Sequence, residues 1–372
     1  MGFSIVLIGV LEGVAEATAG FSKGYFGKLS DDTGKRLPFV QWGYTLSAIS
    51  KPLMALFITP VWIFFVRTID RFGKGLRTGA RDAVLSDESI PQTKGKVFGF
   101  HRSMDTLGAV LGPLLALLYL RGHPQDYKTL FLIAFAPGLL AVTCSFLLKD
   151  KNIIQKPLNT KGGFFSFLGY WKKSPSLYRK LVTALLVFTL FNSSDVFLLL
   201  KVKQAGMNDS NVITIYIFYN LVYAIFAFPI GILADKIGLK KTFIAGLIIF
   251  SLVYGGMAFA NQSYHFYILF FLYGLYAAAT EGISKAWITN ISSKEDTATA
   301  IGTYSAFQSI CTMLASSLAG VIWFQFRAGV TFGLSAVMVL IVAIYISFLR
   351  TKFTSDKTIS LNTTVLIILW FT

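Results

Sequence analysis

The sequence predicts an all-α integral membrane protein. Of its residues, 54% are hydrophobic and 14% are charged, and the mean hydropathy is +0.63. A soluble core of this length does not bury so much apolar surface, and the apolar residues come in blocks of about 20, the length that crosses a bilayer. The blocks are continuous and do not alternate with period two, which excludes a transmembrane barrel and leaves helices.

About eleven segments are predicted to span the membrane. They cover residues 3–22, 38–58, 61–83, 98–120, 128–148, 181–200, 211–233, 242–260, 265–288, 301–324 and 329–349. The third segment is unusually polar, because charges begin at Arg67. Omitting it would place every later basic loop on the wrong side of the membrane, since Lys and Arg accumulate in cytoplasmic loops.

The polar third span is expected to turn a charged face away from lipid. Its charges recur at spacings of three and four, which places them along one helical face. That face should line water or meet partner charges, although Arg77 and Arg81 can instead extend to the inner surface. The members of this face are Arg67, Asp70, Arg71, Lys74, Arg77 and Arg81.

The net charge of +16 is interpreted as a topology pattern rather than as a nucleic-acid surface. It predicts a multi-pass protein of the plasma (inner) membrane with its N-terminus outside, and with the central linker and the end of the last span in the cytoplasm. The two cysteines, Cys144 and Cys311, both lie in predicted spans, so neither a disulfide framework nor a metal site is expected.

A change of composition divides the chain. Residues 149–180 are basic, contain Pro157 and Pro175, and hold no stretch long enough to span. They are predicted to link an N-terminal bundle of five spans (1–148) to a C-terminal bundle of six (181–350), with a short amphipathic helix near Phe164 to Trp171 on the inner surface. Residues 351–372 form a C-terminal tail whose apolar run is too short to span.

Each bundle contains the same kind of cationic turn, GKLSDDTGKR from Gly27 and GILADKIGLKK from Gly231. Both have the order Gly, Asp, Gly and a basic pair, which indicates an internal repeat. In each turn the carboxylate can accept hydrogen bonds from a neighbouring helix N-terminus, while the basic pair meets carboxylates of another helix, so the turns are candidate gating latches. The residues concerned are Gly27, Asp31, Gly34, Lys35 and Arg36, and then Gly231, Asp235, Gly238, Lys240 and Lys241.

With these duplicated turns the chain resembles the major facilitator superfamily, whose signature loop follows the second helix of each half. The resemblance covers nearly the whole chain and implies two helical bundles related by a pseudo-twofold axis. Gly99, Gly108, Gly112 and Pro113 are similar to the antiporter motif of exporters in that superfamily, which implies close helix packing and a rocking interface. Arg67 followed by Asp87 resembles its fourth-helix motif, associated with proton coupling. Only one span precedes the first turn, so the chain is expected to lack the first helix of the superfamily.

Ionisable residues inside the spans are the candidates for substrate or coupling sites. Mutual neutralisation is expected, with Asp70 or Asp105 paired to Arg67 or Arg71, and Glu281 paired to Lys285. Structural pairing and a direct role in transport both remain open for each carboxylate. The candidates are Arg67, Asp70, Arg71, Lys74, Arg102, Asp105, Asp195, Glu281, Lys285, Glu12 and Glu16.

The function predicted is secondary active transport of a small solute by alternating access, as an antiport coupled to protons or a counter-anion. The basic cavity favours an anionic substrate. A proton-coupled exporter of apolar or cationic compounds is the alternative, with Tyr216, Tyr219, Tyr223, Tyr273 and Tyr276 lining its cavity. A transport-inactive membrane scaffold also remains open. No loop carries an acid pair with His or metal-ligand spacing, so no enzyme activity and no cofactor are expected, and the partners are the substrate, the coupling ion and the bilayer.

Overall fold

The computed structural model describes residues 5–57, 59–150 and 163–349, and it describes the side chains only from residue 19 onward. Every regular element in these ranges is helical, which confirms the all-α class. The predicted tail lies outside the described residues, as does most of the linker before residue 163.

The first half of the chain forms five long helices. They are α1 (Ile5–Thr33), α2 (Leu37–Leu56), α3 (Pro60–Asp87), α4 (Lys94–Gly122) and α5 (Tyr127–Phe146). The polar third segment is therefore helical, and it runs on for four residues beyond the predicted end at residue 83. Pro60 occupies the first turn of α3, where its missing N–H costs no helical hydrogen bond.

The second half begins with short elements of the linker and continues with long helices. A 3-10 turn (Ser166–Leu168) leads into α6 (Gly169–Lys173). The later helices are α7 (Ser176–Phe191), α8 (Asp195–Gln204), α9 (Asp209–Ile237), α10 (Leu239–Phe259), α11 (Ser263–Ile291), α12 (Thr297–Phe326) and α13 (Ala328–Phe348).

The predicted span at 181–200 falls within one candidate span, Ser176–Gln204, but its helix is interrupted at residues 192–194. Asn192, Ser193 and Ser194 have short polar side chains that compete with the backbone for hydrogen bonds. The Ser194 hydroxyl accepts from the Val196 N–H at 3.4 Å and so caps the N-terminus of α8. The break places a carboxylate, Asp195, at the first position of a new helix inside the bundle.

Eight helical stretches in the described ranges are long and apolar enough to cross a bilayer, with α7 and α8 counted as one. Helices α1, α2 and α3 are not among them, so the count of eleven spans stays a prediction. In the second half, a large apolar core surrounds Phe250, Tyr254 and Trp287, all of them fully buried. In the first half, the buried cluster is small and is centred on Val40, Tyr44 and Ala80.

The two bundles meet mainly along the pairs α1–α12 and α4–α9. Helix α1 packs against α12 as well as against α3, and α4 packs against α9 and α11 of the other bundle. These crossings leave a space between the bundles, bordered by α3 and α4 on one side and by α11 on the other.

Candidate functional site

A cavity of about 570 Å³ lies between the bundles along the polar face of α3. The other face of α3 is closely packed, since a Cβ added to Gly75 would lie 2.5 Å from the Cβ of Ser22 on α1. One added to Gly73 would lie 2.8 Å from the Gly43 carbonyl oxygen on α2. Small residues thus hold α3 against α1 and α2, while its charges turn to the cavity as their spacing predicts.

Basic side chains dominate the cavity wall, eight of them against three carboxylates. The basic members are Lys23, Lys51, Arg71, Lys74, Arg77, Arg81, Arg102 and Lys285. The acidic members are Asp70, Asp105 and Glu281. A wall of this composition carries a positive potential that attracts anions.

Ion pairs cross from one bundle to the other. Arg102 Nη2 on α4 lies 2.6 Å from Glu281 Oε2 on α11. Lys285 Nζ, one turn further along α11, lies 2.6 Å from Oδ2 of the fully buried Asp82 on α3. Asp82 also pairs with Arg81 at 3.0 Å, so one carboxylate serves two basic groups.

Several of these residues therefore have partners that the sequence did not predict. Glu281 and Lys285 share a face of α11, yet each pairs across the cavity and not with the other. Asp105 pairs with Arg102 at 3.0 Å, a partner that was not predicted for it. Helical spacing shows which charges share a face, but the opposite bundle offers partners at shorter distance and with better alignment.

Asp70 also has a partner that the sequence did not indicate. Its Oδ1 accepts from Lys51 Nζ at 3.1 Å and from the Ser50 hydroxyl at 3.3 Å, both on α2. Lys51 precedes Pro52 inside α2 and is an isolated basic residue in an apolar segment. Its position in the sequence therefore does not indicate a partner.

Arg77 lines the cavity and does not extend to the inner surface, which corrects that alternative. Its guanidinium carbon lies 4.4 Å from the centroid of the Tyr44 ring, and its Nη1 donates to the Ser47 hydroxyl at 2.8 Å. Its Nε is buried without a hydrogen-bond partner in the described structure. The guanidinium of Arg77 is thus stabilised by the Tyr44 ring and the Ser47 hydroxyl, and its Nε is free to donate a hydrogen bond to a ligand.

The cavity continues into the second bundle as a space of about 530 Å³. The two parts share five lining residues, namely Arg102, Glu281, Ser284, Tyr304 and Gln308. The second part is lined by tyrosines and by Asp195. All five tyrosines named from the sequence line it: Tyr216, Tyr219, Tyr223, Tyr273 and Tyr276.

The first turn contacts the opposite bundle through Asp31. Its carboxylate accepts from the Thr299 N–H at 2.6 Å, the Thr299 hydroxyl at 2.7 Å and the Ala298 N–H at 3.3 Å, all in the first turn of α12. Arg36 joins Asp31 at 3.3 Å to Asp87 at 2.6 Å. The carboxylate therefore sits at a helix N-terminus and the arginine meets a carboxylate of α3.

The second turn repeats the arrangement. Asp235 accepts from the N–H groups of Gly95 and Lys96, both at 2.7 Å, in the first turn of α4. Lys240 donates to the carbonyls of Ser347 and Leu349 at 2.7 Å, and so binds the end of α13. Gly34 and Gly238 have φ values of 65° and 103°, which explains glycine after each acidic residue. Lys35 and Lys241 are exposed.

Glycines bring the two bundles into backbone contact beside each turn. A Cβ on Gly27 would lie 2.4 Å from the Ala298 carbonyl oxygen and 3.4 Å from the Cα of Gly302. A Cβ on Gly231 would lie 2.4 Å from the Gly95 carbonyl oxygen and 3.2 Å from the Cα of Gly99.

The helix-packing motif of α4 is only partly used in this way. Gly99 lies at the crossing with α9, but a Cβ on Gly108 or Gly112 would meet no described atom within 4 Å. Close packing at these two positions, expected from the resemblance, is therefore wrong for the described part of the chain. Leu111, Leu114 and Leu115 on the same half of α4 are exposed.

Most of the candidate residues converge on the cavity. Asp70, Arg71, Lys74, Arg102, Asp105, Glu281 and Lys285 line its basic part, and Asp195 lines its tyrosine part. Arg67, one turn before Arg71, is not among the lining residues. Glu12 and Glu16 lie on α1, but their side chains are outside the described part of the structure.

Several lining residues were not predicted. Lys23, Lys51, Tyr44, Tyr304 and Gln308 are single polar or aromatic residues in apolar helices, with no periodic pattern to distinguish them from packing residues. These five residues are identified as cavity residues by their position relative to Arg102 and Glu281. Only the three-dimensional structure supplies that position.

Comparison with known proteins agrees with this architecture. The model of the Major Facilitator Superfamily matches residues 1–219 and 196–366. The chain belongs to this superfamily. An uncharacterized transporter of the same superfamily from Methanocaldococcus jannaschii is 32% identical over 94% of this chain and 87% of its own length. An uncharacterized protein of Mycobacterium tuberculosis is 30% identical over 38% of this chain and 33% of its own length.

Solved structures share the fold of this major facilitator protein. The human organic anion transporter MFSD10 (TETRAN) superimposes with a TM-score of 0.76 and 15% identity, covering 91% of this chain and 83% of that one. The proton:xylose symporter XylE superimposes with a TM-score of 0.74 and 15% identity, covering 93% and 87%. The protein is thus a multi-pass membrane transporter with the two-bundle fold of its superfamily.

Proposed function

We propose that this transporter moves a small organic anion by alternating access, in antiport with protons or a counter-anion. The observation that carries the proposal is the excess of basic side chains on the cavity wall. Guanidinium groups bind carboxylate or phosphate through paired hydrogen bonds, and Arg77 offers a buried donor without a described acceptor. The name of the human structural neighbour, an organic anion transporter, agrees with this chemistry.

Arg102 links substrate binding to the movement of the bundles in this proposal. It borders both parts of the cavity and pairs with Glu281 across the interface. An entering anion competes with Glu281 for the guanidinium and so weakens one of the contacts that join the bundles. The Glu281 carboxylate released in this way is the candidate group for coupling transport to protons.

Closure of the cavity on one side also supports alternating access. Asp31, Asp235 and the glycine crossings join the bundles at the helix ends that carry the turns, so the cavity is closed on that side. With the positive-inside orientation this is the cytoplasmic side of the plasma (inner) membrane, with the N-terminus of the chain outside. Transport to the other side requires both latches to open.

A proton-coupled exporter of apolar or cationic compounds is the second candidate. The tyrosines of the second part of the cavity favour it, because their rings bind apolar and cationic groups. A transport-inactive scaffold would need neither part of the cavity.

Counterflow in proteoliposomes tests the proposal. Vesicles that contain the purified protein are loaded with unlabelled phosphate, phenyl phosphate or benzoate. Entry of the same compound in labelled form is then followed, with and without an imposed pH gradient. We expect the wild-type protein to exchange at least one of these anions. We expect Arg77→Gln to reduce the exchange rate about tenfold or more, because a charge-assisted hydrogen bond contributes about 1.5–3 kcal/mol. Arg121→Gln, at an exposed position near the end of α4, serves as the matched control. Exchange of organic cations without any of the anions would favour the exporter, and a lack of all exchange would favour the scaffold.

A further inference from the structure

The tyrosine-lined part of the cavity contains one carboxylate that the proposed anion transport does not use. Asp195 accepts a hydrogen bond from the Tyr273 hydroxyl at 2.6 Å and another from the Tyr219 hydroxyl. In the described part of the chain it forms no ion pair with a basic side chain. Every other carboxylate on the cavity wall has a Lys or Arg within 3.1 Å. Asp195 is therefore the exception in a cavity rich in basic groups.

The local structure places hydrogen-bond donors and a helix N-terminus at Asp195 in place of a basic partner. It is the first residue of α8, directly after the break in the preceding helix, so the positive end of the helix dipole faces it. The two phenol groups donate to it, which leaves carboxylate lone pairs for a further donor. The site is thus a carboxylate fixed in position on the wall of the cavity.

Aromatic rings surround this carboxylate. The ring centroids of Tyr219 and Tyr273 are 5.3 Å apart, those of Tyr273 and Tyr276 are 5.2 Å apart, and those of Tyr216 and Tyr219 are 5.6 Å apart. The faces of such rings attract cations, and an organic ammonium group, which is large and weakly hydrated, suits rings combined with one carboxylate. Tyr219, Tyr273 and Tyr276 are buried, so their positions are held by packing.

We infer that Asp195 and the tyrosines around it form a binding site for a cation, and that the transported substrate is zwitterionic. Its anionic group would lie against Arg77 and Arg102, and its ammonium group against Asp195. The two parts of the cavity share Arg102, Glu281 and Tyr304, so one molecule can extend through both. The inference of a zwitterionic substrate rests on the proposed transport of an anion, whereas the inference of a cation site does not depend on that proposal. An inorganic cation that couples transport is the other possible source of the positive charge.

Binding to purified protein in detergent tests the cation site without requiring transport. The probes are choline and its uncharged carbon isostere, in which a tert-butyl group replaces the trimethylammonium group. We expect the wild-type protein to bind choline about tenfold more tightly than the isostere, because only choline carries the charge. We expect Asp195→Asn to abolish this preference. Asp209→Asn, which also changes the first residue of a helix but at an exposed side chain, should retain it.

Equal affinity of the wild-type protein for choline and its isostere would overturn the cation site, and this comparison needs no variant. A preference that survives in a folded Asp195→Asn protein would overturn the role of Asp195. If Asp195→Asn does not fold, Tyr276→Leu, which removes a ring that makes no hydrogen bond to Asp195, should reduce choline affinity more than Tyr264→Leu, an exposed ring outside the cavity.

Phosphocholine and sodium distinguish the two sources of the cation. A zwitterionic substrate predicts that phosphocholine binds more tightly than choline, and that Arg77→Gln removes this gain. If phosphocholine shows no gain and sodium displaces choline competitively, the site serves an inorganic coupling ion and the zwitterion is wrong. If anion exchange is observed but choline is not preferred over its isostere, only this inference is wrong. If choline is preferred but no anion is exchanged, the proposed function is wrong.

Discussion

Asp31 binds Thr299 twice, through the backbone N–H at 2.6 Å and through the hydroxyl at 2.7 Å. The two residues lie in different bundles and 268 positions apart in the chain. Asp235 makes the equivalent contact with the N–H groups of Gly95 and Lys96. The duplicated turns thus act as reciprocal caps, each bundle closing the N-terminus of one helix in the other.

The two caps differ in strength, which leads to the first prediction. Asp31 has four hydrogen-bonding contacts and Asp235 has two. We expect Asp31→Asn and Asp235→Asn both to reduce transport and Asp31→Asn to reduce it more, because each charge-assisted hydrogen bond contributes about 1.5–3 kcal/mol. Counterflow rates of inserted protein measure this. Asp32→Asn, which affects only a half-exposed pair with Lys28 on the same helix, is the control, and equal rates in all three variants would contradict the latch.

The second prediction concerns the glycine crossings. Gly27→Ala and Gly231→Ala place a methyl group 2.4 Å from a backbone carbonyl oxygen of the other bundle, which cannot move without separating the helices. We expect both variants to open the turn side, so that cysteines introduced at the buried positions Ala298 and Ala227, beside the two crossings, react faster with a thiol reagent. These are assayed in a background without Cys144 and Cys311.

Gly108→Ala and Gly112→Ala are the matched controls for that prediction. No described atom lies within 4 Å of either added methyl group, so both variants should behave as wild type. A strong effect at Gly108 combined with no effect at Gly27 would show that the crossings are not the closing contacts.

The third prediction tests the buried charges. Asp82→Asn leaves Lys285 and Arg81 in the interior without their shared carboxylate. Removal of one partner of a buried pair typically costs about 3–5 kcal/mol, so a marked decrease in melting temperature in detergent is expected. The double variant Asp82→Asn with Lys285→Gln should recover part of the loss, because it removes one of the two unpaired charges. A double variant less stable than either single variant would contradict this pairing.

The fourth prediction concerns topology and comes from the distribution of basic residues. Single cysteines at Asn159 in the linker and at Asn261 between α10 and α11 should lie on opposite sides of the membrane, with Asn159 cytoplasmic. An impermeant thiol reagent added to intact cells should label only Asn261→Cys. Labelling of both positions from outside would show that the predicted spans or their orientation are wrong.

The predicted and observed pairings of the charges on α3, α4 and α11 show how far the sequence alone reaches. Spacing of three and four placed Asp70, Arg71 and Lys74 on one face of α3, and the cavity lies on that face. Spacing also suggested Glu281 with Lys285, and that pairing was wrong. Periodicity describes one helix at a time, and charges in a bilayer take partners from whichever helix packs opposite.

Two properties of this protein follow from its sequence by itself, the membrane-spanning α-helical class and the duplicated acidic turns. Apolar blocks of helical length have no other way to satisfy their backbone groups in lipid, and a repeated motif is visible without coordinates. The tertiary structure decided the rest. It shows that Asp31 binds Thr299, that Glu281 pairs with Arg102, and that the helix is interrupted before Asp195. It also shows that no described atom would lie within 4 Å of a Cβ on Gly108. These outcomes depend on the distance and rotation between helices remote in sequence, which the pattern along any one helix does not contain.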